Sequence, residues 1–303
     1  IIILIFAPWR ILFLAKPMQA LRILSILSFY LVSSVWPAYA DELANQNKAK
    51  QIWQLLDYLA VDYGKAVKNG EVLNKSEYAE MQEFARAAER QLAELPLTSG
   101  TPDLLKGISA LRIKIADKAP AAMVNDQARN VAASLLAAYP VPVSPNKLPD
   151  LQLGAKLFQN QCATCHGVSG HSDGPLAASL NPPPIILADH ERAQQRSVFS
   201  LQQIITHGVE GTPMPSFSQL SDDDRWAIAY FASTLSYTDA DRKAGAKLWS
   251  SRSNLRAAVP TLAKLSQTSE AVLTKTVGAD TARPLIAYLR STPNALSTSG
   301  TES

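Results

Sequence analysis

The two cysteines of this 303-residue chain lie in one short stretch, QCATCHG, from Gln161 to Gly167. Two residues separate Cys162 from Cys165, and His166 follows directly. With no further cysteine for a disulfide framework, the two thiols either bridge each other, bind a metal or take part in other covalent chemistry. The cellular compartment decides between these uses, because disulfides persist only in oxidising surroundings.

The N-terminal region has the pattern of a secretory signal peptide. From Met18 onward, the basic residue Arg22 precedes an apolar run of about 13 residues, and the small-residue site AYA ends at Ala40. The run is shorter than the roughly 20 residues of a membrane-spanning helix. We therefore expect residues 1–40 to be a leader whose true start is Met18. We also expect the mature protein to be periplasmic. An uncleaved N-terminal anchor is the alternative.

The leader also accounts for the formal net charge of +3. Three of the 29 basic residues lie in the leader, and the remaining 26 equal the 26 acidic residues. A formally neutral mature chain lacks the basic surface on which nucleic-acid binding depends. We therefore expect no nucleic-acid partner.

In an exported protein, the pattern C-x-x-C-H indicates the covalent attachment of one haem c. Cys162 and Cys165 would form thioethers with the haem vinyl groups, and His166 would bind the iron from the same turn. A thioredoxin-like redox pair would need a βαβ context, which the sequence does not show. A structural zinc site would need two further ligands.

Met214 is the candidate for the second axial ligand of the iron. It is the only methionine after the CATCH motif, and it lies between two prolines in the loop GVEGTPMPSF. Histidine–methionine ligation is the pattern of cytochromes c, and it raises the reduction potential. The alternatives are the other histidines, of which His171 is too close in sequence and His207 ends a predicted helix as a cap or surface residue; the third is His190.

Residues 151–236 resemble a class I cytochrome c domain. LQLGAKLFQNQ before the motif and LSDDDRWAIAYFASTL after the loop predict its first and last helices. The resemblance implies that these helices cross where Gly154 meets Trp226 or Tyr230. It also implies that the carbonyl group of Pro175 accepts a hydrogen bond from the proximal histidine, and that the NPPPI segment packs on the haem edge.

Four amphipathic helices are predicted between residues 41 and 139. Apolar residues recur there at helical spacing, with starts indicated at Asn74 followed by Glu77, at Thr101-Pro102 and at Pro120. Short connections between such helices predict an antiparallel bundle.

The predicted fold class is all-α, with a helical bundle, a class I cytochrome c domain and a C-terminal helical segment. Four prolines in YPVPVSPNKLPD indicate a semi-rigid linker, and the polar C-terminus has the composition of a disordered tail. The predicted parts are a leader (1–40), the bundle (41–139), the linker (140–150), the cytochrome c domain (151–238), C-terminal helices (239–292) and a polar tail (293–303).

Acidic and tyrosine side chains cluster in the predicted bundle. Oxygen ligands of this kind suit a hard cation such as iron. We favour the alternative, a solvated helix face whose side chains are neighbours at three and four residues. The residues concerned are Asp57, Tyr58, Asp62, Tyr63, Glu77, Glu80 and Glu83.

The order of these parts resembles the exported N-terminal portion of bacterial cytochrome c/FTR1-family iron permease fusions. DYGKAV, EYAEMQEFA and QRSVFSLQQIITHGVEGTPMPSF carry the resemblance. In that family a membrane permease follows, whereas this sequence contains no R-E-x-x-E iron motif. We expect a fragment, the product of a split gene or a separate exported subunit, associated with the membrane only through a permease that this chain does not contain.

The resemblance implies an electron-transfer haem protein rather than an enzyme, acting as the soluble redox part of an iron-uptake system. Its expected partners are a redox protein, a membrane iron permease and iron ions. The alternatives are a generic periplasmic electron carrier and a haem-based sensor or docking module. A ferrous-iron oxidase or a peroxidase is a further alternative, and a peroxidase would need an open sixth position on the iron.

Overall fold

A computed structural model describes the backbone of residues 18–296 and the side chains of residues 41–296. Residues 1–17 of the expected leader, and the expected tail from residue 297 onward, lie outside the described residues. The described chain contains fourteen α-helices and a single pair of two-residue strands, which confirms the all-α class. The unit that begins at Gln46 is compact and holds every helix after the first. Among the described residues, no helix is both long enough and apolar enough to cross a membrane.

The first four helices form the predicted bundle. The side chain of Asn74 accepts hydrogen bonds from the backbone N–H groups of Ser76 and Glu77, so helix α2 begins where the capping pattern predicts. The antiparallel strands β1 (Val67–Lys68) and β2 (Glu71–Val72) connect α1 to α2. The helices are α1 Met18–Ala66, α2 Lys75–Ala93, α3 Thr101–Ala116 and α4 Ala121–Ala138.

The bundle is closed by fully buried aliphatic side chains at the predicted helical spacing. Each such side chain contributes about 1.5–3 kcal/mol through burial. Helix α2 packs on α3, and α3 packs on α4. The buried residues include Ile52, Leu56, Leu59, Met81, Leu92, Ile108, Leu111 and Leu135.

The next five helices form what we call the central domain, residues 151–232. Its first helix, α5, crosses its last, α9, at Gly154. A Cβ atom at Gly154 would overlap the carbonyl oxygen of Ala227 and lie 3.1 Å from Cβ of Phe231. The helices are α5 Leu151–Gln161, α6 Ala163–His166, α7 His190–Ala193, α8 Val198–His207 and α9 Asp222–Ala232.

The expectation that Gly154 meets Trp226 or Tyr230 is therefore wrong. Trp226 and Tyr230 each come one position before the residues that contact Gly154, which are Ala227 and Phe231. Their rings are therefore on another side of α9, where they are fully buried. There the Trp226 ring stacks on Phe199 of helix α8, with 6.3 Å between ring centroids. The glycine crossing itself is present, but the aromatic residue at it is Phe231.

The C-terminal helices repeat this crossing. GAKLW from Gly245 repeats GAKLF from Gly154, and ARPLIAYLRST from Ala282 shares Arg, Ile, Ala, Tyr, Ser and Thr with DRWAIAYFAST from Asp224. A Cβ atom at Gly245 would overlap the carbonyl oxygen of Pro284. The pair α10–α14 thus repeats the glycine crossing of α5–α9 without cysteines, although the facing carbonyl belongs to Pro284, which aligns with Trp226 and not with Ala227. The helices are α10 Asp239–Ser251, α11 Leu255–Ala258, α12 Leu262–Gln267, α13 Glu270–Val277 and α14 Ala279–Ser291.

The expected polar tail begins later than residue 293. Pro293–Leu296 forms a 3₁₀ turn, and the side chains of Pro293, Ala295 and Leu296 are buried. The prediction is wrong for these residues because their apolar side chains pack on the core, which composition averaged over the segment conceals.

The bundle and the central domain are joined through helices α1 and α8. The ring of Trp53 lies 4.6 Å from that of Phe199, centroid to centroid. Close by, the buried side-chain amide of Gln54 donates a hydrogen bond to the carbonyl oxygen of Gly208 at 2.8 Å. One face of α1 therefore follows α8 to its C-terminal end.

Candidate haem-binding site

A single turn of backbone carries both thiols and the imidazole of the CATCH motif. Helix α5 ends as the Cys162 N–H group donates to the carbonyl of Phe158 at 2.8 Å. The N–H groups of Cys165 and His166 then donate to the carbonyl of Cys162, at 3.1 and 2.9 Å. Both cysteines are free thiols. The turn thus presents two thiols and one imidazole from neighbouring positions, as attachment to one haem edge requires.

The thiol of Cys162 is buried at the end of helix α5. Burial, and secondarily the neighbouring Cys165, raises the pKa of the Cys162 thiol to about 12. It is therefore protonated at neutral pH before any attachment.

The ring of His166 is oriented by a backbone carbonyl. Its Nδ1 atom lies 3.2 Å from the carbonyl oxygen of Ile185. Burial lowers the pKa of His166, partly opposed by this hydrogen bond, so the neutral ring is favoured. With Nδ1 donating to Ile185, Nε2 is the acceptor nitrogen, and no described residue forms a hydrogen bond with it. Neutral imidazole with one nitrogen fixed in this way is the usual form of a metal-ligating histidine.

The expected acceptor for this hydrogen bond, the carbonyl of Pro175, is wrong. Pro175 lies in a segment that folds back beneath the motif, where the next residue, Leu176, donates its N–H group to the carbonyl of Thr164 at 3.0 Å. The NPPPI segment supplies the acceptor instead. The Ser172 hydroxyl donates to the carbonyl of Pro184 at 2.7 Å and holds this segment beside the histidine.

Met214 lies in a loop that is fastened to the last turn of helix α8. The N–H group of Val209 donates to the Met214 carbonyl at 3.1 Å, and the Met214 N–H group donates to the Thr212 hydroxyl at 3.2 Å. Farther along, the hydroxyl of Ser216 donates to the carbonyl of Thr206 at 2.7 Å. The Met214 side chain is half-buried. A loop closed on both sides in this way presents the thioether from a defined backbone position.

Two of the other three histidines lie beside a polar side chain, and the third ends helix α8. His171 is exposed and its Nδ1 lies 3.0 Å from the Ser169 hydroxyl. His190 Nε2 lies 3.2 Å from a carboxylate oxygen of Glu270 in helix α13. His207 ends helix α8 as predicted, but its Nε2 atom is buried without a hydrogen-bond partner among the described residues.

The environment of His207 is strongly unfavourable to its protonated form. Burial, followed by the positive charges of Lys50 and Arg225, lowers the pKa of His207 to about 4. Of its two expected roles, the position at the end of helix α8 agrees with a cap, and the buried Nε2 atom does not agree with a surface residue. The imidazole stays neutral at physiological pH.

The acidic pair in the bundle forms neither a solvated face nor an iron site. Asp57 and Asp62 are buried, and Arg196 donates to both, at 2.6 Å and 2.7 Å. Arg192 adds a hydrogen bond to Asp62 at 3.1 Å, and the Arg196 guanidinium lies 4.6 Å from the centre of the Tyr58 ring. Across the part of the chain with described side chains, no group of three or more His, Cys, Asp or Glu residues is placed to hold a metal ion.

These arginines were missed in the sequence because they lie about 130 residues from their partners. The only local signal is that two arginines four residues apart, in ERAQQRS, precede a helix with few charges. Spacing within one element predicts a face. It does not predict which distant element covers that face.

Comparison with known proteins identifies two domains in this chain. Residues 149–231 match the family described as cytochrome c oxidase, cbb3-type, subunit III. Residues 40–142 match the iron permease-associated 4-helix bundle domain. The two matches confirm the combination that the sequence predicted.

Comparisons over whole proteins give one match, to a solved structure. No curated protein matches. Among solved structures, a chain of the Kuenenia stuttgartiensis reducing HAO-like protein complex is 26% identical over 40% of this chain, with a TM-score of 0.30. The match spans 65% of the length of that chain.

Proposed function

Because this chain joins an iron permease-associated four-helix bundle domain to a cytochrome c domain, we propose that it is an exported monohaem c-type cytochrome in a bacterial iron-uptake system. It transfers single electrons and is the soluble redox part of a system with an FTR1-type permease. Its partners are a redox protein, the permease and iron ions.

The observation that carries the haem assignment is the geometry of His166. The free Nε2 atom, the bond from Nδ1 to Ile185 and the two thiols on the same turn together match the needs of one covalent haem c. Cys162 and Cys165 form the thioethers, and His166 and Met214 bind the iron. Once bound, the haem supplies one-electron chemistry at its iron.

The protein's own residues restrict that chemistry to electron transfer. Ile185 holds the His166 ring, and the hydrogen bonds around Met214 hold the thioether on its loop. His166 and Met214 would together hold the iron, and the chemistry that such a haem would supply is one-electron transfer. Pro175 is exposed, and Ile185 provides the carbonyl that was expected of it.

The link to iron rests on the bundle domain. A generic electron carrier would need only the central domain, and its match to a cytochrome c family does not involve iron transport. The bundle belongs to a domain family that accompanies iron permeases. A sensor or docking module is the second candidate, favoured by the tight junction between the bundle and the central domain.

Covalent attachment is tested by expressing the protein with a cytochrome c maturation system and measuring haem per chain after denaturation. We expect one haem in the wild type and none retained in the Cys162→Ser/Cys165→Ser double variant. His166→Ala should prevent maturation, whereas the control His171→Ala, in an exposed histidine of the same loop, should not. Retention of covalent haem by the double variant would contradict the assignment.

A further inference from the structure

The peptide unit between Gly208 and Val209 is hydrogen-bonded on both sides. Its carbonyl oxygen accepts a hydrogen bond from the side-chain amide of Gln54 at 2.8 Å. Its N–H group donates to the carbonyl oxygen of Met214 at 3.1 Å. A single rigid plane therefore connects a bundle side chain to the backbone of the proposed axial methionine.

Gly208 is suited to this role because no other residue fits there. Its φ of +71° lies in the left-handed region. A Cβ atom at Gly208 would lie 2.7 Å from the carbonyl oxygen of Met214 and 2.8 Å from the N atom of Ser216. Residues 214–216 thus pack directly on Gly208. A tilt of the Gly208–Val209 peptide would therefore move the loop that carries Met214.

Gln54 is held firmly on the bundle side. Its side chain is only 8% exposed. Trp53, one residue earlier, packs on Phe199, and Asp57, one turn later, is bonded to Arg196. Helix α1 is therefore fixed against α8 on both sides of Gln54.

From these contacts we propose that Gln54 is a positioning residue for Met214. The bundle fixes the tilt of the Gly208–Val209 peptide through Gln54, and this peptide fixes the backbone of Met214, the residue that would bind the haem iron. The inference rests on the proposed ligation by Met214. It gives the iron permease-associated bundle a direct influence on the strength of the axial bond.

Removing the amide would leave the buried Gly208 carbonyl without its donor. The peptide can then rotate toward other donors and weaken its bond to Met214, because an unsatisfied buried carbonyl is costly. A competing ligand such as imidazole should then displace the thioether more readily. We expect its apparent affinity for the ferric protein to rise about tenfold, the factor that one such hydrogen bond is worth.

The variant Gln54→Leu tests this, with Gln127→Leu as the matched control. Gln127 also donates its side-chain amide to a glycine carbonyl, that of Gly107, at 3.1 Å, but within the bundle. The holoprotein is measured in three ways: the weak far-red absorption band of ferric haem with a thioether ligand, the midpoint potential, and imidazole binding. We expect a weaker band, a lower potential and tighter imidazole binding in Gln54→Leu, and wild-type values in Gln127→Leu.

The outcomes separate this proposal from the proposed function. A wild-type protein without the far-red band, but with covalent haem, would show that Met214 is not a ligand. It would overturn the positioning role and the Met214 assignment, and it would leave the covalent haem assignment standing. A wild-type band that persists unchanged in Gln54→Leu, with unchanged imidazole affinity, would overturn the positioning role alone. Equal changes in Gln54→Leu and Gln127→Leu would also overturn it, because they would reflect general loosening of the bundle.

Discussion

Arg196 in the cytochrome c domain donates a hydrogen bond from Nη1 to Oδ2 of Asp57 on the bundle helix at 2.6 Å, and both side chains are buried. The same guanidinium reaches Asp62 through Nη2. Neighbouring Ser200 donates its hydroxyl to Asp57 at 2.5 Å. The two domains therefore meet at a buried charge cluster instead of being separated by their linker alone.

Loss of Arg196 should strongly destabilise the protein. Arg196→Met leaves Asp57 and Asp62 buried without their main positive partner, and breaking a buried pair in this way costs about 3–5 kcal/mol. The free energy of unfolding from denaturant titration measures the effect. Arg90→Met is the control, since its ion pair with exposed Glu83 is on the surface and should change stability by about 1 kcal/mol or less. Equal effects of the two substitutions would contradict a buried junction.

The two glycine crossings should be equally intolerant of a methyl group. Gly154→Ala and Gly245→Ala each place a Cβ atom against a backbone carbonyl of the facing helix. Overpacking of this kind costs about 1–3 kcal/mol or more, because backbone cannot move aside as a side chain can. In the control Gly64→Ala, the new Cβ meets only the Ala121 methyl group, at 3.3 Å, and alanine is favoured over glycine within a helix, so the loss of stability should be much smaller than at the two crossings. A thermal melt in which Gly245→Ala matches wild type would refute the repeated crossing.

Substitution of Met214 should leave the sixth coordination position of the haem iron without a protein ligand. Met214→Ala removes the thioether, which stabilises ferrous iron, so the midpoint potential should fall and the ferrous form should bind carbon monoxide. Met123→Ala, at a half-exposed methionine in the bundle, is the control and should leave both properties unchanged. An unchanged potential in Met214→Ala would assign the sixth ligand to a histidine.

His207 should make the protein less stable in mild acid. Its folded pKa, lowered to about 4 by burial, lies below the unfolded value of about 6.5. The unfolded chain therefore binds a proton that the folded chain does not, and the stabilisation present above about pH 6.5 is lost as the pH falls toward 4.

The contribution of His207 is isolated by comparing denaturant titrations at about pH 7 and about pH 5. The loss of stability between these conditions should be smaller in His207→Gln than in wild type. His171→Gln, in an exposed histidine, should behave as wild type. A wild-type pH dependence in His207→Gln would show that the ring titrates normally.

The local parts of the fold were predictable because they depend on neighbouring residues. Asn74 caps α2, Thr101-Pro102 begins α3, and Pro120 precedes α4, as their sequences indicate. The CATCH motif likewise determines its own turn through hydrogen bonds between near neighbours. These features need no information about distant segments.

The parts that sequence reasoning missed depend on which elements face each other. Phe231 rather than Trp226 meets Gly154, because the rotation of α9 is set by the packing of Trp226 on Phe199. Ile185 rather than Pro175 bonds to His166, because both follow the motif and only the folded loop distinguishes them. Spacing gives the candidates for a contact, and packing selects among them.

The most direct test of the account is rapid anaerobic mixing of the matured, oxidised protein with Fe(II), followed by visible spectroscopy. We predict fast reduction to the spectrum of a low-spin ferrous c-type haem, since the protein is proposed to exchange electrons with iron. A cytochrome spectrum that dithionite reduces and Fe(II) does not would contradict the role in iron uptake. It would leave a generic electron carrier.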